Sequence, residues 1–135
     1  LDSPRMKKAL PKYLNLDESL SLLESVEGKN ASRDYCILTL FLNCGLRLSE
    51  LVGINTKDID FNECKLTVIG KGNKERTIYL NKACMKAIKE YLEVRPKDGI
   101  KYTSKDALFL SEQKQRISNR AVQYIVKNEL KNEKF

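Results

Sequence analysis

Apolar positions in this chain recur with a helical period over most of its length and switch to alternation in the middle. Leu16, Leu20, Leu23 and Val26 share one face behind Asn15 and Glu18, which fit an N-cap with a reciprocal carboxylate, and Gly28 ends the run. This predicts a helix over 15–28. Ser32 is placed to cap a second helix, in which Tyr35, Ile37, Leu38, Phe41 and Leu42 are apolar nearly all round, as in a buried helix. Gly45 suits the left-handed position that stops it. Leu48, Leu51 and Val52 mark the buried side of a short third helix, closed by Gly53. From 62 to 80 the character is β, with 66–69 and 77–80 flanking a polar turn that holds two glycines, the pattern of a hairpin. Asn81 can cap the next helix, with Cys84, Ile88, Tyr91 and Leu92 on one face and Arg95-Pro96 at its end. After a polar loop over 97–106 and a short apolar segment over 107–110, Ser118 can cap a last helix carrying Val122, Ile125, Val126 and Leu130. Residues 1–13 hold Pro4 and Pro11 among basic side chains without a helical period, and read as an extended linker. The expected fold class is α+β, mainly helical with a small antiparallel sheet.

At 135 residues the chain is the size of one domain with one core, and 41% apolar with 32% charged residues is a globular balance that excludes a disordered protein. The longest apolar stretch, 35–42, is far too short to span a bilayer, and the first residues lack the segment order of a signal peptide, so a soluble cytoplasmic protein is expected. Cys36, Cys44, Cys64 and Cys84 have neither C-x-x-C spacing nor a histidine partner, since the chain contains no histidine, and are expected to be free buried thiols. A formal charge of +7 favours a polyanionic partner without naming one.

Two motifs narrow the choice. In the run Gly45-Leu46-Arg47-Leu48-Ser49-Glu50-Leu51, Arg47 and Glu50 are three apart at a short helix, so the carboxylate is expected to hold the guanidinium fork in place. An isolated Arg-x-x-Glu is an ordinary surface pair worth at most about 1 kcal/mol. Arg47, however, follows a glycine-terminated buried helix, so core packing fixes its position, and a fixed planar guanidinium is what a phosphoryl transition state needs. In the second run, Gly70-Lys71-Gly72-Asn73-Lys74-Glu75-Arg76, the glycines let a hairpin tip approach a strand of nucleic acid closely, and Lys71 can reach a phosphodiester and protonate a leaving alkoxide. The bland alternative is a solvated lysine-rich turn. No third glycine or following helix makes this a dinucleotide fingerprint, and no Gly-Lys-Ser/Thr makes it a Walker loop.

The other candidates are weaker. Asp58, Asp60 and Glu63 read as a solvated turn, not a two-metal site, so no metal is expected. Arg116 and Arg120 straddle the start of the last helix, where they can meet phosphates or face solvent. Among the six tyrosines, Tyr35 and Tyr79 read as core, Tyr91 and Tyr124 as helix packing, and Tyr13 and Tyr102 as loop residues.

In this order and spacing the two motifs resemble the tyrosine recombinase (phage integrase) family, most closely its Xer-like members, over 10–135 and most specifically over 42–80. The resemblance implies an integrase-type catalytic domain in which Arg47 binds the scissile phosphate, Glu50 supports it, and Lys71 protonates the leaving 5′ oxygen of DNA. It places Lys74 and Arg76 near DNA, and it implies no cofactor, because the bond energy is kept in a 3′-phosphotyrosine. The family pattern continues with His-x-x-Arg, a further His or Trp and a tyrosine nucleophile, none of which these residues supply. Residues 1–13 are thus expected to be an interdomain linker remnant and 14–135 a partial catalytic domain, inactive and monomeric alone, from a parent that acts as a tetramer on paired duplex sites. A non-catalytic DNA-binding remnant and an unrelated basic adaptor that binds proteins are the competing readings.

Overall fold

The computed structural model describes residues 30–133, so the expected helix over 15–28 and the linker over 1–13 lie outside the described residues. Helix α1 (Ala31–Cys44) is the centre of the core: Cys36, Ile37, Leu38, Thr39, Leu40 and Phe41 are buried in succession, as its all-round apolar pattern requires. Thr39 is tolerated there because its hydroxyl donates to the Tyr35 carbonyl at 2.7 Å. The helix starts at Ala31, earlier than a Ser32 cap allows, with the Asn30 carbonyl accepting the Asp34 N–H at 2.9 Å. Its end is as expected, since Gly45 takes φ 63° and ψ 35°. An added Cβ at Gly45 would meet nothing within 4 Å, so backbone conformation and not space calls for glycine here.

Helix α2 (Leu48–Val52) follows at once and buries Glu50 and Leu51. The sheet has three antiparallel strands in the order β1 (Ile59–Asp60), β2 (Lys65–Ile69), β3 (Glu75–Tyr79). The register pairs Leu66 with Ile78 and Val68 with Arg76 on the inner face, leaving Lys65 beside Tyr79 and Thr67 beside Thr77 on the outer one. Tyr79, expected in the core, is therefore 73% exposed; it lies on the outer face of an edge strand with the Lys65 ammonium 5.7 Å from its ring centroid. Strand β1 has no counterpart in the hydrophobic pattern, because two residues are too short to show alternation.

Helix α3 (Lys82–Val94) begins with the expected cap, Asn81 Oδ1 accepting the Cys84 N–H at 2.8 Å, and packs along α1. Helix α4 (Asn119–Glu133) packs against α2, with the Ser118 hydroxyl accepting the Ala121 N–H at 3.1 Å. Val122, Ile125 and Val126 are buried, whereas Tyr124, expected to pack, is 69% exposed because it falls on the opposite side of the helix. The segment 107–110 is wholly buried between these layers. It has no regular partner strand, so its backbone is satisfied by scattered main-chain bonds, such as the Leu108 N–H on the Ile54 carbonyl at 3.0 Å, and by side chains: Arg95 donates to the carbonyls of Ala107 and Leu108, Arg33 to that of Leu110, and the Tyr91 hydroxyl accepts the Leu110 N–H at 3.2 Å. All four cysteines are free as expected, but only Cys36 and Cys84 are buried, Cys44 and Cys64 being partly exposed; the Cys44 and Cys84 sulfurs lie 3.9 Å apart. Among the described residues no helix is long and apolar enough to cross a membrane.

Candidate nucleic-acid interface

Gly45 ends α1 in the left-handed conformation, and two residues on Arg47 is the N-cap of α2 in extended backbone, φ −81° and ψ 157°. It is therefore not inside the helix on the same face as Glu50, as the spacing alone suggested. The Glu50 carboxylate, only 5% exposed, instead accepts the backbone N–H of Arg47 at 2.9 Å. The guanidinium it holds belongs to Arg76 on β3, with Nε 3.1 Å from Oε2 and Nη2 2.9 Å from Oε1. This bidentate fork ties the hairpin to the start of α2. The Arg47 guanidinium is exposed and has no hydrogen bond or ion pair among the described residues.

At the hairpin tip, residues Lys71–Asn73 make a tight turn with Gly72 and Asn73 both at positive φ, and the Gly70 N–H closes the loop on the Lys74 carbonyl at 2.8 Å. The two glycines serve different ends. Gly72 has φ 74° and needs conformational freedom. Gly70 is extended, and a Cβ there would sit 3.1 Å from Glu50 Oε2, so its absence lets the buried carboxylate lie against the base of the hairpin. Lys71 and Lys74 are exposed, with side chains unpaired among the described residues.

Glu50 titrates below the ordinary carboxylate range, chiefly because the Arg76 guanidinium hydrogen-bonds it; burial opposes this and the Arg47 N–H adds to it. A carboxylate whose folded pKa is depressed stabilises the fold fully above its unfolded pKa and loses that contribution as pH falls through the folded value. Acid titration of the folded chain is thus expected to show a destabilising limb below the normal carboxylate range that Glu50→Gln flattens, as read by the denaturation midpoint against pH. An unchanged limb in the variant would mean that other groups set it.

Arg116, expected at phosphates, is used inside the protein. Its Nη1 donates to the Val52 and Ile54 carbonyls at 2.9 and 3.2 Å, and its Nη2 to Asn55 Oδ1 at 2.5 Å. It fixes the carbonyl end of α2 while Glu50 fixes the amide end, a role invisible in sequence because its partners lie more than sixty residues away. Arg120 remains exposed on the first turn of α4. Asp58 caps the Asn55 N–H at 2.9 Å, and Asp60 accepts the N–H groups of Asn62 and Glu63 at 3.0 Å. No cluster of three or more His, Cys, Asp or Glu side chains suited to a metal occurs among the described residues.

The architecture is that of tyrosine recombinase catalytic domains: the crystal structure of XerA recombinase superposes with a TM-score of 0.77 at 26% identity, over 91% of this chain and 43% of that one. The Tn1549 transposon integrase in complex with circular intermediate DNA gives a TM-score of 0.64 at 26% identity, over 90% of this chain and 44% of that one. The chain belongs to the phage integrase family, which matches residues 12–134. Within it, the chain is 61% identical over 131 residues to tyrosine recombinase XerC of Caldanaerobacter subterraneus subsp. tengcongensis, covering 97% of this chain and 36% of that protein. This chain thus spans well under half the length of the relatives it matches.

Proposed function

We propose that residues 14–135 are part of the catalytic domain of a cytoplasmic, site-specific DNA recombinase, one that cleaves and rejoins strands through a 3′-phosphotyrosine. In this reading Arg47 holds the scissile phosphate, Lys71 protonates the leaving 5′ oxygen, and Lys74 and Arg120 contact the backbone of duplex DNA. The histidine, second arginine and nucleophilic tyrosine come from other parts of the complete enzyme, which assembles as a tetramer on paired sites.

The observation that carries the proposal is the buried Glu50 carboxylate. It joins the amide at the start of α2 to the hairpin, and so brings the bases of Arg47 and Lys71 into one framework with both cationic side chains unpaired among the described residues. Freely exposed cations above a rigid frame suit a polyanion better than a protein surface, where each would need an acidic partner. Duplex DNA should bind this +7 chain with little sequence preference, and each lost phosphate contact should lower the slope of log affinity against log salt by about one. Fluorescence anisotropy with Lys74→Gln and Arg120→Gln tests this. Binding that ignores salt, or no binding at low salt, would contradict the DNA-facing assignment and favour a protein-binding adaptor.

A further inference from the structure

We propose that Arg76 is a positioning residue that acts through Arg47: by occupying both oxygens of Glu50 it keeps the Arg47 guanidinium from folding back onto that carboxylate and leaves it free for phosphate. The proposal rests on the reading of Arg47 given above. Glu50 lies in the first turn of α2 beside the Arg47 backbone, is 5% exposed, and must remain charge-compensated where it sits. Two cationic residues touch it, Arg76 through its guanidinium and Arg47 through its backbone N–H, 2.9 Å from Oε1. Arg76 wins because β3 delivers its planar fork in register, Nε to Oε2 and Nη2 to Oε1, while Oε1 also receives the Arg47 amide. The Gly70 backbone closes the other side, with a Cβ position 3.1 Å from Oε2. The pair is neutral overall, so Arg76, although half exposed, adds little net charge, and the positive charge offered outward is that of Arg47, Lys71 and Lys74.

The inference separates Arg76 from a simple phosphate contact, since its loss would harm DNA binding by way of Arg47. Two readouts on the full 135-residue chain test it, with amide spectra checking that each variant folds. The first uses no DNA: the NMR signal of the Arg47 Nε–H should exchange rapidly with water in the unaltered chain, become protected and shift in Arg76→Gln as the side chain is drawn to Glu50, and return in Glu50→Gln/Arg76→Gln. An Arg47 signal unmoved by Arg76→Gln would overturn the proposal.

The second readout is the salt slope of duplex binding. Arg76→Gln and Arg47→Gln should each lower it by about one, the Arg47→Gln/Arg76→Gln double variant by about one and not two, and Glu50→Gln/Arg76→Gln should restore it. Losses that add to about two, without rescue by Glu50→Gln, would make Arg76 an independent phosphate contact. Should Arg76→Gln fail to fold, Glu50→Gln strands no buried charge and should free Arg76, steepening the slope by about one; no change there would count against the proposal. If Arg47→Gln leaves the slope untouched while the Nε–H signal behaves as expected, the positioning role stands and the phosphate role of Arg47 falls.

Discussion

Arg47→Ala, introduced into a full-length recombinase that carries this segment, is expected to lower strand cleavage by about 10²–10³-fold, the size of loss seen when one preorganised donor to a developing anion is removed. The reason is geometric. The backbone of Arg47 is held by the left-handed Gly45 before it and by the Glu50 carboxylate after it, while its guanidinium has no partner among the described residues. A donor held this way meets a phosphorane at little reorganisation cost. DNA affinity should fall far less than the cleavage rate, because one phosphate contact among several is lost from the ground state whereas the transition state loses the group that meets its new charge. Cleavage rates on a nicked substrate, set beside anisotropy affinities, give the comparison. Equal losses in both would reduce Arg47 to an ordinary backbone contact.

Lys71→Ala should cost about 10²–10⁴-fold in the same assay, the usual range for a positioned general acid. Lys71 reaches its place differently from Arg47. It stands in a tight turn at the exposed tip of the β2–β3 hairpin, and the base of that hairpin is fixed by the Arg76–Glu50 fork and the missing Cβ of Gly70. An exposed tip above an anchored base suits a group that must meet the leaving oxygen of a bound phosphate. Substrate affinity should change little.

The parts of this arrangement that follow from local chemistry were legible in the sequence. Gly45 as a left-handed stop, Asn81 and Ser118 as caps, the buried period of α1 and the hairpin with Lys71 at its turn depend on neighbours a few residues away. What could not be read were pairings across the fold. The spacing of Arg47 and Glu50 suggested an arginine held by its own helix, but Arg47 sits just outside that helix and β3 presents a better fork, so the carboxylate pairs with Arg76. Arg116 looked like a free cation beside α4, and only the packing of the segment 107–117 brings it under the end of α2. Tyr79 looked like core because alternation identifies a strand but does not say which of its faces a helix will cover. The carry-over of chemistry to Arg47 and Lys71 came from the motif pair, and family membership over 12–134 gives that pair its context.

The most direct test of the central claim, that Arg47 holds the phosphate while Lys71 protonates the leaving group, is cleavage of a 5′-phosphorothiolate substrate by the full-length enzyme. Sulfur leaves as a thiolate without needing a proton, so the thiolate substrate should restore most of the rate lost in Lys71→Ala. It should not rescue Arg47→Ala, because the charge on the transferring phosphate still has to be stabilised. Equal rescue of both variants, or none for Lys71→Ala, would contradict the account and place the general acid elsewhere.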